Sequence, residues 1–344
     1  MKLYSNEIVF RGHPDKVCDQ ISDALLDAYL AGDPHSRCGI EVCGGKGIIF
    51  VTGEVTSNAK VNVKEVVKRV LQDVGYRTNY RIINNIGKQS RDIALGTNDE
   101  VGGAGDQGMM FGYACNDTPE LLPTAQVILQ KLACGYDVLR QVDADLLPDG
   151  KAQITGYYEG RKLKKIKTFT ISYQNTEKHR ERTDEIIRTY ILQLCKEHNI
   201  EVEEILINPT GRFEIGGFDG DAGLTGRKIV VDSYHSFANV GGGAFSGKDP
   251  TKVDRSGAYA SRCIACEILK EHDLEWCEVQ VSYAIGKAEP LAIYITSDKG
   301  DIEPPAELYK KLTPANIIKE LHLQDEKYEV RAMHGHFMEY PDFI

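Results

Sequence analysis

One order of elements, met three times along the chain, limits how this sequence can fold more than any other feature. Hydrophobic periodicity predicts a long helix at residues 14–31, with Val17, Ile21, Leu25 and Ala28 on one face, Pro14 in the first turn and Gly32 at the end. Strands follow at 38–43 and 47–56, then a helix at 63–74 stopped by Gly75 and a strand at 81–86. The second run predicts a helix at 119–142, a hairpin turning at Glu159-Gly160-Arg161, a helix at 177–198 and a strand at 205–207. The third predicts a helix at 254–272, strands at 277–284 and 291–296, short helices after Pro305 and Pro314, and a strand at 328–331. Short apolar strands at 8–10, 109–115 and 229–231 precede the three runs. The pattern predicts an α+β fold of three related α/β units around a pseudo-threefold axis. Their linear limits are 1–97, 103–217 and 218–344, with the units interleaved in space. Helix and hairpin orders also recur by coincidence, and no repeat of residues accompanies this one.

At 344 residues, 42% hydrophobic and 27% charged, the chain has the balance of a globular protein with a sizeable core. No run approaches the roughly 18 apolar residues that span a bilayer, and Glu7 interrupts the N-terminus too early for a secretory signal. A cytoplasmic protein without a membrane partner is expected. Nine cysteines scattered from Cys18 to Cys277 form no disulfide framework. Cys263 and Cys266 lie on one face of a predicted helix, which suits buried thiols and leaves metal or redox use as the alternative. The net charge of −10 argues against a nucleic-acid partner. A polyanion therefore needs a local basic focus, and residues 227–255 supply one.

Two glycine-rich stretches without periodicity, 87–108 and 233–254, are long enough to be functional loops. In the second, Gly241-Gly242-Gly243 and Lys248 lie on a chain whose amides can approach oxyanions closely. Residues 242–248 satisfy the opening of a phosphate-binding loop, but Asp249 stands where that motif requires Ser or Thr. Arg227, Lys228, Lys248 and Lys252 with the carboxylate of Asp254 suggest polyphosphate plus metal. Each cation at ~4 Å and an effective dielectric near 20 interacts with a phosphate charge by about 4 kcal/mol. Arg11-Gly12-His13-Pro14-Asp15-Lys16 places a histidine and a carboxylate at the mouth of the first long helix, whose free amides favour anions. Asp19 and Asp23 continue from Asp15 at four-residue spacing and are read as a solvated stripe.

The following motifs occur in order: Gly12-His13-Pro14-Asp15-Lys16, Gly53-Glu54-Val55-Thr56, Ile86-Gly87-Lys88-Gln89-Ser90, Gly103-Ala104-Gly105-Asp106-Gln107-Gly108 and Met110-Phe111-Gly112-Tyr113-Ala114. After them come Ile207-Asn208-Pro209-Thr210-Gly211-Arg212-Phe213, Gly223-Leu224-Thr225-Gly226-Arg227-Lys228, residues 241–253 and Ser282-Tyr283-Ala284-Ile285-Gly286. Jointly they resemble the S-adenosylmethionine synthetases, or methionine adenosyltransferases, over nearly the whole chain. The resemblance implies attack of methionine sulfur on C5′ of ATP, release of tripolyphosphate, and its hydrolysis to pyrophosphate and phosphate. A thioether has no proton to lose, so the chemistry needs in-line positioning and charge stabilisation rather than a general base.

By that resemblance His13 contacts the departing triphosphate, and Lys151, Arg227, Lys228, Lys248 and Lys252 spread its charge, Lys252 also reaching the methionine side. Asp15 and Asp254 resemble ligands of two Mg²⁺ ions and Glu41 that of one K⁺. Glu54 and Gln89 would hold methionine, Asp221 would meet its ammonium near adenosine, and Asp106 would face the nascent sulfonium. Adenine would stack on Phe213 beside Arg212, with Ala244 and Asp149 lining the nucleotide. Residues 89–102 resemble a loop that closes over the site. The implied assembly is a homodimer or dimer of dimers with active sites between subunits, and the implied small-molecule partners are ATP and L-methionine.

This chain departs from the family pattern at Arg91, where proline is usual, at Lys287, at Val240, at Met338, and at Tyr234-His235-Ser236, which lacks the usual paired glycines. The covering loop is also a few residues shorter, as is the chain. A non-catalytic relative that binds nucleotide or S-adenosylmethionine is the alternative function. It predicts loss of a phosphate cation or metal carboxylate, yet His13, Asp15, Lys151, Lys248 and Asp254 are all present.

Overall fold

The computed structural model describes residues 1–89 and 103–338. The first run contains β1 (Lys2–Val9), α1 (Pro14–Gly32), β2 (Arg37–Gly45), β3 (Ile48–Thr56), α2 (Val63–Val74) and β4 (Arg81–Gly87). The second contains β5 (Gly108–Cys115), α3 (Thr124–Val142), β6 (Leu146–Glu159), β7 (Lys162–Asn175), α4 (Arg180–Glu197) and β8 (Val202–Ile207). The third contains α5 (Gly217–Gly220), β9 (Gly223–Leu224), α6 (Ile229–Asp232), α7 (Val253–Glu271), β10 (Trp276–Tyr283), β11 (Ala292–Ser297), β12 (Gly300–Ile302), α8 (Ala306–Lys311), α9 (Pro314–Glu320) and α10 (Tyr328–His334).

Three four-stranded sheets result, with orders β4-β3-β2-β9, β1-β6-β7-β8 and β12-β11-β10-β5. Each is built on an antiparallel hairpin. In the first two, a helix carries the chain across to a parallel fourth strand. The third closes instead with the antiparallel β12 after a tight turn. The opening strand of each run leaves its own hairpin: β1 pairs with β6, β5 with β10, and β9 with β2. Each run thereby completes the sheet of another, in a closed cycle.

Sheet alternation puts one face of each hairpin under a long helix. In β10, Cys277, Val279, Val281 and Tyr283 are buried while the alternate residues are less so, and α7 packs on β10 and β5. Gly112 in β5 lies where a Cβ would collide with the backbone of Ser261 in α7, so the strand and helix meet without a side chain between them. Cys263 and Cys266 on α7 are buried, and burial pushes their thiols up to about 12 and about 11. Among the described residues no helix is long and apolar enough to cross a membrane.

Three expectations are corrected. Residues 229–231, an apolar β-branched triplet read as a strand, coil into α6, because Asp232 must turn inward to meet Lys16, 2.5 Å away. The preceding strand of the third run is the two-residue β9. Residues 328–331 form the start of α10 rather than a strand. The carboxylate of Asp27, from α1, accepts from the amides of Tyr328 (3.0 Å) and Glu329 (3.1 Å) and caps a helix whose own Lys327 offers no side-chain acceptor. Finally, α3 begins at Thr124 and not at 119, since Pro123 disfavours helical backbone in the residue before it and serves as the N-cap itself.

His235 and Ser236, in the run where the resemblance leads one to expect paired glycines, occupy the left-handed region, with φ of +50° and +71°. Ser236 is exposed, and its carbonyl accepts from the Tyr4 hydroxyl at 2.6 Å. Ser236→Gly removes the left-handed penalty of roughly 1–2 kcal/mol and returns roughly 0.4–1 kcal/mol through unfolded-state entropy. A net stabilisation of about 0.5–1 kcal/mol is expected as a higher denaturant midpoint at unchanged slope.

Candidate functional site

The site grows from the first helix. Pro14 begins α1 and His13 caps it, its Nδ1 accepting from the Asp15 amide at 3.2 Å. An accepting Nδ1 leaves the proton on Nε2, which is free to donate. Asp15 is fully buried: Oδ1 accepts from the Leu224 amide at 2.9 Å, and its oxygens meet Lys228 Nζ at 2.5 Å and Arg227 Nε at 3.3 Å. Asp19 and Asp23 are fully buried too, which overturns the solvated stripe. Asp19 accepts from the Gly226 amide at 2.9 Å. Asp23 accepts from the Gly247 amide at 2.8 Å and from Arg255 Nη2 at 2.7 Å through both oxygens. The four-residue spacing was visible in the sequence; the donors, some two hundred positions away, were not.

These carboxylates sew two cationic segments to one edge of β2. At one end β9 pairs with Cys43 and Gly44, and Thr225 Oγ1 accepts from the Val42 amide at 2.9 Å. At the other end the Ile40 amide donates to the Gly247 carbonyl at 3.0 Å, and the Asp249 amide to the Cys38 carbonyl at 3.2 Å. Asp249, which broke the phosphate-loop motif, is fully buried. It accepts from the amides of Cys38 at 2.6 Å and Thr251 at 2.9 Å and pairs with Lys252. Lys248 pairs with Asp254. Gly243 packs so tightly on the Asp254 carboxylate that a Cβ there would overlap it, which explains one glycine of the triplet.

Two groups of the expected residues emerge. Lys248, Lys252 and Asp254 line a cavity of ≈ 510 Å³ with Glu41, Glu54, Gln89, Asp106 and Ala244. Arg37, Lys88 and Thr251 also line it and were not expected. The other group surrounds His13: Asp15, Lys151, Asp221 and Lys228 act on its charge, and Asp149 lies within the field of Lys151 and Asp221. Lys151 is exposed on β6 opposite Val9, and Asp221 is exposed at the end of α5. Asp149 is buried, accepts from the Gly217 amide at 2.8 Å, and is pushed up to about 6, chiefly by burial. Arg212 is exposed and paired with Glu214, and the half-buried Phe213 is tied to Asn175 by its carbonyl at 2.9 Å. The groups touch where Gly226 lies against Ala244, but the His13 group does not line the cavity. From Asp15 to Asp23 the helix rises about 12 Å. Residues 90–102 of the expected covering loop, Arg91 among them, lie outside the described residues.

A magnesium ion at a phosphate needs only one or two protein carboxylates. Among the described residues no cluster of three or more His, Cys, Asp or Glu suits a metal. Asp15 and Asp254 nevertheless fit such ions, because each already holds a lysine ammonium where a cation would sit.

Sequence comparison matches three domains of one family: the S-adenosylmethionine synthetase N-terminal domain over residues 1–91, its central domain over 101–213 and its C-terminal domain over 215–343. The S-adenosylmethionine synthase of Salinispora tropica is 40% identical, covering 99% of this chain and 95% of its own. That of Mycoplasmopsis synoviae is 43% identical over 98% and 92%, and that of Clostridium tetani 42% over 98% and 94%.

Burial first, then Lys228 and Lys151, lower His13 from 6.5 to about 4 against the pull of Asp15 and Asp221. Between those values the unfolded chain binds a proton that the folded chain refuses, so this histidine subtracts stability as the pH falls. His13→Asn keeps a capping acceptor without the titration. It is expected to lose roughly 1–2 kcal/mol less than wild type on going from about pH 7 to about pH 5. Denaturant unfolding at both pH values tests this, and equal losses in the two proteins would refute it.

Proposed function

The chain belongs to the S-adenosylmethionine synthetase family, and on that premise we propose how its residues divide the work. It is a methionine adenosyltransferase that makes S-adenosylmethionine from ATP and methionine. In the proposed mechanism a sulfur lone pair forms the bond to C5′, the C5′–O bond breaks, and its electron pair leaves on the triphosphate. His13, donating from Nε2, meets that oxygen, and Lys151, Arg227, Lys228, Lys248 and Lys252 take up the growing charge. Glu54, Gln89 and Asp221 orient methionine, and Asp106 faces the sulfonium. Phe213, Arg212, Asp149 and Ala244 hold the nucleoside. The same cations then retain tripolyphosphate for its hydrolysis to pyrophosphate and phosphate.

Asp15 and Asp254 would hold two Mg²⁺ ions and Glu41 one K⁺; the divalent ions, when bound, neutralise phosphate charge. The observation that carries this reading is the pairing of Lys228 with Asp15 and of Lys248 with Asp254. Both carboxylates and both ammonium groups stand assembled, and substrate phosphates with their metal ions can replace the internal pairs.

The reading extends to assembly. The cavity holds Glu54, Gln89, Asp106, Lys248 and Lys252 without His13, Lys151, Asp221 or Lys228, which supports a site completed by a second copy. The cyclic exchange of β1, β5 and β9 supports units related by a pseudo-threefold axis, with linear limits near 1–97, 103–217 and 218–344.

Purified protein with ATP, Mg²⁺ and methionine is expected to yield S-adenosylmethionine, pyrophosphate and phosphate by chromatography. Lys248→Ala and Asp15→Asn should each lower turnover by at least about a hundredfold. ATP loss at the same rate without methionine would sink the assignment. Mixing inactive His13→Ala and Lys248→Ala chains is expected to restore activity, because one site of the mixed dimer receives both groups intact. No recovery after the chains are unfolded and refolded together would refute the shared site.

A further inference from the structure

Lys16 is 1% exposed, and its ammonium lies 2.5 Å from Asp232 and 3.2 Å from Asp19. Burial alone favours the neutral amine, but the two carboxylates outweigh burial and hold it charged. Asp19 and Asp232 both sit in the protein interior, and they bracket one stretch of chain. Asp19 accepts from the amide of Gly226, the residue before Arg227. Asp232 ends α6, which begins directly after Lys228. The segment 226–232 is therefore anchored at both ends to one buried ammonium.

The helical half is also held by the burial of Val231 and by the amides of His235 and His336 on the carbonyls of Val230 and Asp232, at 3.1 and 3.0 Å; residues 226–228 have fewer holds. Gly226 has φ of +80° and lies against Ala244, so the chain turns there in a way that other residues would resist. Arg227 is exposed, and Lys228 reaches back to Asp15. The backbone on either side thus sets where both side chains start, and Asp15 holds their tips, Arg227 Nε at 3.3 Å and Lys228 Nζ at 2.5 Å.

We propose that Lys16, Asp19 and Asp232 form a buried clasp that positions Arg227 and Lys228 toward the triphosphate. The inference rests on the reading of those two cations given above. None of the three clasp residues touches substrate in it; each acts through the loop it closes. Asp19 is needed first as an acceptor for the Gly226 amide and second as a charge on Lys16. Asp232 is needed as the charge that draws α6 inward.

The test is equilibrium binding of inorganic tripolyphosphate with Mg²⁺, together with KM for methionine, in folded full-length variants. Asp19→Asn keeps the acceptor and is expected to weaken tripolyphosphate binding only about threefold, whereas Asp19→Ala weakens it about thirtyfold. Asp232→Asn, which can still accept from Lys16, should weaken it about tenfold. KM for methionine stays within about twofold in all three. In an Arg227→Ala/Lys228→Ala background the effect of Asp232→Asn should vanish, since there is nothing left to position. An unchanged effect in that background would mean a general structural role and overturn the clasp. Should Asp19→Ala fail to fold, the Asp19→Asn and Asp232→Asn pair decides alone, and wild-type binding in both overturns it. If Arg227→Ala/Lys228→Ala itself binds tripolyphosphate like wild type, the role of those cations falls and the clasp with it. If that variant binds weakly while both clasp variants bind normally, the clasp alone falls.

Discussion

Four carboxylates on one helix, each meeting backbone amides from a distant part of the chain, hold the rest of the structure in place. Asp15, Asp19, Asp23 and Asp27 stand one turn apart on α1 and accept from Leu224, Gly226, Gly247, and Tyr328 with Glu329. Burying an ionised carboxylate costs several kcal/mol unless its charge and lone pairs are met. Here Lys228, Lys16 and Arg255 meet the charge of the three deepest. Burial still raises Asp23 to about 6 in spite of Arg255 and the Gly247 amide. The geometry of an ordinary helix, with about 6 Å between residues four apart, thus becomes the ruler on which irregular loops are spaced. The loops add only short stretches of pairing to β2.

That ruler sets the electrostatics of the site. The first long helix carries negative charge inside the protein, and the segments it binds carry Arg227, Lys228 and Lys248 beside the anchored amides. On the proposed reading, a triphosphate enters a place where cations are already held by carboxylates and need only exchange partners. Such a site avoids the reorganisation that free lysines would require. His13 fits the same logic: burial and neighbouring lysines keep it neutral, with Nδ1 engaged by the Asp15 amide and Nε2 able to donate. On the proposed reading, a neutral donor would approach a phosphate oxygen without repelling the Mg²⁺ ions that Asp15 and Asp254 would hold.

The sequence made legible whatever depends on neighbours along the chain. Pro14 and Gly75 marked helix ends because proline and glycine act locally, and the alternation in β10 followed from a one-sided sheet. The motifs placed Asp15, Lys228, Lys248 and Asp254 among the candidate residues, and the structure pairs them two by two. What stayed hidden was supplied from afar. Asp19 and Asp23 looked like a solvated stripe because their partners, Gly226, Gly247 and Arg255, lie on the far side of the sequence. Residues 328–331 looked like a strand because their N-cap belongs to α1. The β-branched triplet 229–231 coils because Lys16 draws Asp232 inward, a tertiary demand that propensity does not contain.

The cyclic exchange of strands gives the ladder its purpose. In two of the three exchanges the visiting strand pairs over eight residues, β1 on β6 and β5 on β10. In the third, β9 pairs over only two. A strand that short cannot be held by its own hydrogen bonds, and here Asp15, Asp19 and Thr225 take over the anchoring. A longer β9 would bind more firmly, but it would bring residues 226–228 into the pairing with β2 and commit their backbone to the sheet. Asp15 and Asp19 anchor the segment to α1, and on β2 the pairing stops at Thr225. On the proposed reading, Arg227 and Lys228 are thereby fixed at their base while their tips can exchange from Asp15 to ligand, which is the combination that a leaving-group site requires.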